Sequence, residues 1–540
     1  MTVGLVALPL AMAFAISSGL RPEAGIYTAI VAGFISSLLG GTRTQVSGPT
    51  GAFVVVVFGI VAQHGVDGLY VVTFLAGLML VLLGGTGLGT AVKFIPRPVV
   101  VGFTNGIAVL IASTQLKDFF GLHADKVPGD FVGRMATLWG ARSTLDGATL
   151  IVGAVALTAL IVFARYVNRV PGAIVVLFGV TAAAVLLHLH IETVGSRFGG
   201  IPQGLPRLQF PKPQLSLIPG LIGPAITVAM LGAIESLMSA VVADRMTRDR
   251  HNPNVELIAQ GIANIFTPMV GGLPSTGAIA RTATNIRSGA KTPLAGIIHA
   301  LTLLTILLVA APLAAKIPLA VLAAILLMVA YNMGEWGEIP EILRLSKADA
   351  AVWALTFLLT VFADLTFAVQ AGMILAALLY ISRVTKTTTV GEVTDEEMHE
   401  GRDHVMQFHE VPNGVVIFRI HGPFLFGSTD KVYEMVERLP ELPPVVVLRL
   451  RNMTAIDATG VQAIEGVVER VRESGREVIL CGMREQPGEI LMKAGIAEVV
   501  GAENLCPNVS AAMARARHLL SVRSALQPSA AIEDPERGAR

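Results

Sequence analysis

Charge and cysteine are scarce in this 540-residue chain. Only 15% of its residues are charged and 53% are hydrophobic, whereas an average soluble domain is about 25% charged. Its two cysteines, Cys481 and Cys506, are too few for a disulfide framework and suit a reduced, cytosolic location. The net charge of +1 gives no reason to expect a nucleic-acid partner. The composition therefore excludes an ordinary soluble domain and indicates a polytopic membrane protein with a C-terminal tail of different composition.

The sequence also lacks the motifs of an enzyme. We find no nucleophile–base arrangement, no Walker loop and no Cys/His cluster with metal-ligand spacing. The glycine run at residues 84–89 ends an apolar segment, so it is not a phosphate loop. No Lys or Arg precedes Arg21, so the basic start of a signal peptide is missing. We predict neither an enzymatic activity nor a cofactor.

Long apolar runs fill the chain as far as Lys386. At about 17–25 residues per span, and allowing for short ones, we predict fourteen membrane-spanning segments. They lie at residues 2–18, 22–40, 49–62, 67–89, 97–117, 147–165, 171–190, 217–240, 254–270, 275–287, 293–314, 317–333, 350–364 and 367–383.

The loops give the orientation. If the N-terminus is cytoplasmic, every cytoplasmic connection is basic, as the positive-inside rule requires. The basic residues of these connections are Arg43, Lys93, Arg97, Arg165, Arg169, Arg245, Arg248, Arg250, Arg287, Lys291, Arg344, Lys347, Arg383 and Lys386. We therefore expect both termini in the cytoplasm.

The third and tenth segments are the shortest, and each begins at a Gly/Pro break. The breaks read SGPTGAF at residues 47–53 and GGLPSTGAIAR at residues 271–281. A helix that starts at such a break points its unpaired N–H groups and its positive dipole end back at it. The tenth segment follows the third by seven spans. Because seven is an odd number, the second copy of the repeat is inverted in the membrane, so the two helix starts can face each other near the midplane. Paired broken helices favour a transporter's binding site; two ordinary turns that share Thr-Gly-Ala are the alternative.

Candidate anion ligands surround the two breaks. The helix starts are formed by Thr50, Gly51, Ala52, Gly277, Ala278 and Ile279. Glycine lets an anion approach the backbone closely. Arg281 follows within one turn and adds a positive charge with planar donors, so the pocket would prefer an anion. Alternatively, Arg281 pairs with Glu235 or extends to an interface. Phe14 is a candidate pocket wall, although a lone aromatic residue more often serves packing.

Glu235 lies inside the eighth segment, AITVAMLGAIESLMSA. An ionisable group at that depth is costly and usually faces a cavity or a partner. Gly232 and Ser239 share its helix face, so there is room beside the carboxylate and a hydroxyl that can donate to it. We predict a proton- or sodium-coupling site, with a structural acid paired to another helix as the alternative.

The composition changes after Arg383. Residues 387–404 are polar and read as a linker or edge structure. Strand-like runs at 415–420, 445–450 and 478–481 then alternate with helical patterns at 428–438, 459–474, 486–494 and 508–520. This alternation predicts a small α/β domain. Thr459, at the start of one helix, is a candidate helix cap or phosphosite. The stretch from 524 onward is predicted to be disordered.

These motifs, in this order, resemble the sulfate-permease (SulP) family of anion transporters with a C-terminal STAS domain. The matching stretches include VALPLAMAFAISSGLRPEAGIYTAIVAGFISSLLGG, QVSGPTGAF, GAIESLMSAVVADRMT, GAIARTATNIRSGA and IDATGVQAI. The resemblance implies a transmembrane domain over residues 1–386 that consists of inverted repeats at about 1–191 and 213–386. These repeats form core and gate domains. A linker at 387–404, a STAS domain at 405–523 and a tail at 524–540 follow. The resemblance also implies a homodimer in the bacterial inner membrane and an elevator-like motion.

The resemblance implies roles for individual residues as well. Thr50, Gly51 and Ala52 match the third-span anion site, and Gly277, Ala278, Ile279 and Ala280 match the tenth-span site. Arg281 matches the anion-facing arginine, and Phe14 matches an aromatic residue beside the anion. Glu235 matches the acidic coupling position of prokaryotic members, and Ser239 matches the hydroxyl one turn further on, which makes both candidate sodium ligands.

Three positions depart from the family pattern. Pro9-Leu10-Ala11 replaces the Pro-Gln-Gly of many sulfate carriers, which leaves dicarboxylate, bicarbonate and sulfate open as substrates. Ala458 occupies the serine position that related anti-sigma-factor antagonists phosphorylate. The cytoplasmic segment that usually precedes the first span is missing, so the natural start can lie upstream of Met1.

We therefore predict a secondary active transporter of a small anion, coupled to H⁺ or Na⁺, whose STAS domain binds an unidentified cytoplasmic partner. A passive anion channel, a nucleobase–proton symporter of the same fold and a membrane-tethered signalling module are the alternatives. The absence of an acidic residue from the tenth segment disfavours the nucleobase symporter.

Overall fold

The computed structural model describes residues 1–90, 95–124, 127–166, 172–202, 204, 208, 218–363, 365–393, 411–437 and 439–526. The chain divides into two compact units, Met1–Ala376 and Ala377–Arg540. Most of the predicted linker at 387–404 and the predicted tail from 527 onward lie outside the described residues.

The first unit is helical apart from two very short strands. In chain order its elements are α1 (Thr2–Ser17), α2 (Pro22–Leu39), β1 (Ser47–Gly48), α3 (Gly51–Gly85), α4 (Arg97–Phe120), α5 (Phe131–Gly140), α6 (Gly147–Tyr166), α7 (Gly172–Leu186), α8 (Val194–Phe198), α9 (Ile218–Thr247), α10 (Pro253–Phe266), β2 (Thr276–Gly277), α11 (Ile279–Arg287), α12 (Leu294–Ala314), α13 (Leu319–Met333), α14 (Ile339–Leu345), α15 (Lys347–Phe362) and α16 (Leu365–Thr387), the last of which continues into the second unit.

Each predicted apolar segment contains a helix. The third and fourth segments lie in α3, which consists of two helices that meet at Gly65, where the backbone is not helical (φ 70°, ψ −178°). Among the described residues, eight helices are long and apolar enough to cross a membrane. The count of fourteen crossings stays a prediction.

Close helix packing builds the interior around the two short strands. A Cβ atom on Gly77 of α3 would lie 2.7 Å from the carbonyl oxygen of Gly261 on α10, and one on Gly261 would lie 2.6 Å from that of Gly77. Small residues of this kind let membrane helices approach each other closely. Helix α3 also packs against α9, and α2 packs against α12. These five helices therefore form a tight frame on which the breaks are held.

The second unit contains a five-stranded sheet with the order β3-β4-β5-β6-β7. Its strands are β3 (Thr389–Glu392), β4 (Val415–Phe424), β5 (Val445–Ile456), β6 (Glu477–Cys481) and β7 (Leu505–Cys506); its helices are α17 (Asp430–Glu437), α18 (Ala458–Glu473), α19 (Glu485–Lys493), α20 (Ile496–Val500) and α21 (Val509–Leu526). Only β3 is antiparallel to its neighbour. Apolar side chains are buried on both faces of the sheet, as expected where strands are parallel. The predicted α/β domain is confirmed.

Strand β3, at the edge of the sheet, lies inside the stretch for which a linker or an edge structure was predicted. Two other details of this unit differ from the sequence analysis. The very short β7 was not predicted. The residue that caps α18 is Asp457, whose carboxylate accepts a hydrogen bond from the N–H of Gly460 at 2.8 Å. Thr459 is exposed within the first turn, so its predicted role as the helix cap is wrong.

Candidate functional site

The structure brings the two Gly/Pro breaks together. Strands β1 and β2 pair in antiparallel fashion, with Ser47 opposite Gly277 and Gly48 opposite Thr276. The N–H of Ala278 extends the ladder by donating to the carbonyl oxygen of Val46 at 2.9 Å. We call this pair of strands the β1–β2 ribbon. Because the strands are antiparallel, α3 and α11 leave the ribbon from opposite ends, and both helix N-termini face back onto it.

Neither helix start is capped by a side chain. Thr50 precedes α3 and Ala278 precedes α11, and neither makes a side-chain capping hydrogen bond. Threonine is a good capping residue, but the hydroxyl of Thr50 instead donates to Oε2 of Glu235 at 2.8 Å. The first-turn N–H groups of both helices therefore keep their positive partial charge available to an anion.

Helix α9 supports the ribbon next to Glu235. Ser236 accepts a hydrogen bond from the N–H of Gly277 at 3.1 Å and lies 2.7 Å from the hydroxyl of Thr276. The Thr276 hydroxyl is also 3.1 Å from the carbonyl oxygen of Gly232. Glu235 is only partly buried, whereas Ser236 is fully buried. A single turn of α9 thus contacts the start of α3 through Glu235 and strand β2 through Ser236.

Arg281 lies beneath the ribbon and is only 3% exposed. Its Nη2 donates to the carbonyl oxygen of Pro49 at 2.7 Å, immediately before the start of α3. Its Nη1 is buried without a hydrogen-bond partner. Among the described residues Arg281 makes no ion pair with Glu235. The guanidinium is therefore a fixed positive charge behind the helix start.

The other predicted ligands lie around this arrangement. The ring of Phe14 is beside Gly51, because a Cβ atom on that glycine would lie 3.4 Å from its Cε1 atom. Ala52 and Ala278 are buried, whereas Ile279 is 37% exposed. Ala280 is likewise exposed.

Ser239 is placed differently from our expectation. Its hydroxyl donates to that of Thr282 at 3.1 Å, and Thr282 in turn accepts the N–H of Val46 at 3.1 Å. Thr50 therefore takes the role of hydrogen-bond donor to Glu235 that the helix-face pattern suggested for Ser239. Within the described residues, no group of three or more His, Cys, Asp or Glu side chains could hold a metal ion.

Sequence reasoning missed a buried polar network on α10. Oε1 of Glu256 accepts hydrogen bonds from the amide groups of Gln45 and Gln260, at 2.7 and 3.0 Å. Gln260 also donates to the hydroxyl of Ser47 in β1. Asn264 exchanges two hydrogen bonds with the backbone of Ser275, at 2.8 and 2.9 Å. The available signal was the spacing of Glu256, Gln260 and Asn264, which recur every four residues in an otherwise apolar segment.

The sequence matches two known protein families. Residues 1–356 match the sulfate permease family, and residues 409–512 match the STAS domain. The chain belongs to the sulfate permease family. Its relatives are transporters and not enzymes, so the prediction that it is not an enzyme is confirmed.

The similarity extends over almost the whole chain. This family member is 40% identical to the "Putative sulfate transporter YvdB" of Bacillus subtilis over 504 residues, which covers 93% of this chain and 94% of the relative. It is 32% identical to the "Bicarbonate transporter BicA" of Synechocystis over 525 residues, or 95% and 92% of the two chains.

Solved structures share the fold. The transmembrane domain of a cyanobacterial bicarbonate transporter BicA aligns with a TM-score of 0.61 and 33% identity, covering 70% of this chain and 95% of that one. Murine Slc26a9 in an inward-facing state aligns with a TM-score of 0.84 and 19% identity, covering 96% and 90%. The predicted fold class, a polytopic helical protein with a small α/β STAS domain, is confirmed.

Proposed function

We propose that this protein is a secondary active transporter whose substrate is a small anion: bicarbonate, sulfate or a dicarboxylate. The observation that carries the proposal is the β1–β2 ribbon, onto which two uncapped helix N-termini face. Each helix end contributes about half a positive charge, and Arg281 adds a full charge behind the start of α3. A site with this field and with glycine backbone at Gly51 and Gly277 suits an anion held by N–H groups.

Glu235 is proposed as the coupling group. Its carboxylate accepts the hydroxyl of Thr50, which is the last residue before α3. An ionised Glu235 therefore adds a negative charge at the edge of the proposed anion site and weakens anion binding. A proton or a sodium ion on Glu235 removes that repulsion, so the anion and the cation are expected to bind together.

The polar contacts around the ribbon support an elevator-like motion. Hydrogen bonds join the ribbon to α9 through Ser236 and to α10 through Gln260. Parts linked in this way move as one body more readily than they rearrange internally. We further propose that the protein acts as a homodimer in the bacterial plasma membrane, with both termini in the cytoplasm.

The test is uptake of labelled anions into proteoliposomes. The panel contains sulfate, bicarbonate, fumarate, succinate and chloride, each with and without proton and sodium gradients. One anion should accumulate against its gradient, and only while the coupling cation gradient is present. Anion flow much faster than carrier turnover, without accumulation, would instead identify a channel.

A variant of the coupling group sharpens this test. Glu235→Gln should abolish gradient-driven accumulation while retaining measurable anion binding. Glu341→Gln, which neutralises an exposed acid outside the site, is the matched control and should transport normally. Full accumulation by Glu235→Gln would remove Glu235 from the mechanism.

A further inference from the structure

A polar cavity lies away from the ribbon, at the end of the first unit that the loop charges predict to be cytoplasmic. Its volume is about 660 Å³. The walls are the chain before β1 (41–44), the end of α9 with the loop that follows it (244–252) and the end of α11 with its loop (286–291). We call it the basic cavity. Its four basic residues are Arg43, Arg248, Arg250 and Lys291, and its two acidic residues are Asp244 and Asp249.

Both acidic side chains of the basic cavity are already engaged. Asp244 accepts the backbone N–H of His251 at 3.0 Å and lies 2.7 Å from its ring Nδ1 atom. Asp249 lies 3.4 Å from the guanidinium of Arg43 and accepts the backbone N–H of Arg250 at 2.9 Å. The two carboxylates therefore neutralise at most the charges of His251 and Arg43.

Three positive charges around the cavity remain without a counter-ion. Arg248, Arg250 and Lys291 form no ion pair with any described residue. The backbone of Arg248 has a φ of 58°, a conformation that non-glycine residues rarely adopt and that recurs at ligand-binding sites. Three unneutralised cations around one concave surface attract a multivalent anion.

From this arrangement we infer that the basic cavity binds a phosphate-bearing anion, and that it is a site distinct from the ribbon. Arginine and lysine together are the side chains that bind phosphate in proteins. The side-chain amide of Asn252 lines the same walls, and its N–H groups can donate to phosphate oxygens. The volume lies in the range of small-molecule sites and exceeds the needs of a single inorganic ion. A soluble phosphorylated metabolite and a lipid headgroup share this chemistry.

The cavity is connected to the transport site through the backbone. The carbonyl oxygen of Thr44, in the wall, accepts the side-chain amide of Asn285 at 2.9 Å. Ser47 of β1 follows Thr44 by three residues, and Asn285 follows Arg281 by one helical turn. A ligand in the cavity thus contacts the outer ends of both segments that form the ribbon. Occupancy should change anion affinity at the ribbon, and the anion should change affinity for the ligand by the same factor.

The test measures binding of inorganic pyrophosphate to the purified full-length chain by calorimetry. The variant Arg248→Asn/Lys291→Gln removes two charges, and asparagine tolerates the backbone conformation at residue 248. We expect binding to weaken about tenfold or more, since each charged hydrogen bond is worth at least that factor. The control Arg344→Gln/Lys347→Gln removes two exposed charges from the same predicted side and should bind as the parent does.

Two results would overturn the inference. One is unchanged pyrophosphate binding in the cavity variant, and the other is an equal loss in the control, which would mean diffuse charge attraction. A second arm repeats the titration in phosphatidylcholine nanodiscs with and without phosphatidic acid. Competition by phosphatidic acid supports a lipid headgroup as the occupant, and its absence supports a soluble phosphate compound. Because binding is measured without transport, this test is independent of the proposed function.

Discussion

Substituting Gly48 with alanine should disrupt the proposed anion site without replacing any charged residue. A Cβ atom at this position would lie 2.5 Å from Nη1 of Arg281, and 3.4 and 3.5 Å from Cα and Cβ of Ala29. The two Ala29 atoms are at ordinary contact distance, so it is the guanidinium that must move. Moving it breaks the hydrogen bond from Nη2 to Pro49, now 2.7 Å long. A hydrogen bond to a charged group contributes about 1.5–3 kcal/mol, which corresponds to about a 10- to 150-fold change in an equilibrium constant.

The assay is anion binding and uptake by Gly48→Ala, together with its thermal unfolding midpoint. We expect anion affinity to fall by about one to two orders of magnitude and the midpoint to drop by a few degrees, since overpacking costs about 1–3 kcal/mol. The control is Gly59→Ala in α3, where an added Cβ meets nothing within 4 Å; helix propensity should make it neutral or slightly stabilising. Unchanged anion affinity in Gly48→Ala would show that Arg281 need not lie beneath the ribbon for binding.

Three further predictions concern single groups. Thr50→Val keeps the shape of the side chain but removes the hydrogen bond to Glu235, so the pH dependence of uptake should shift while Thr50→Ser retains it. Glu256→Ala leaves the amides of Gln45 and Gln260 without their acceptor; the thermal midpoint should fall, because two buried donors lose at least about 2 kcal/mol together. Burial raises the pKa of the Cys481 thiol to about 12, so at neutral pH it stays protonated, and a maleimide should label it only after denaturation. Rapid labelling of Cys481 in the native chain would contradict its burial in β6.

The fold was largely predictable because its signals are long and repetitive. Apolar runs of membrane length and the alternation of strands with helices both average over many residues, so single exceptions do not obscure them. The break at Gly65 lies in the gap that was predicted between the third and fourth segments, and a helix lies on each side of it. Strands β3 and β7 were missed as strands because each is at most four residues long and has too few apolar positions to form a pattern.

The candidate site was predicted in outline but not in its contacts. The repeated Thr-Gly-Ala indicated that the two breaks meet, and the ribbon has that arrangement. The partner of Glu235 could not be predicted, because Thr50 and Ser239 are both small hydroxyl residues and only the packing of α3 against α9 decides between them. Sequence spacing relates residues on one helix and says nothing about the rotation of that helix against its neighbours.

The buried network behind the ribbon gives a physical reason why transport should move the site as a whole. A two-residue ladder is too short to fix its own register, and a slip by one residue would reverse which side chains face inward. The register is instead held from three sides, by Ser236 on α9, by Gln260 on α10 and by Thr282 on α11. Opening the ribbon locally would leave these buried donors and acceptors unpaired, at about 1–3 kcal/mol for each unsatisfied group. Carrying ribbon, helices and network together breaks none of these bonds, so the proposed elevator-like motion should cost less than opening the ribbon locally.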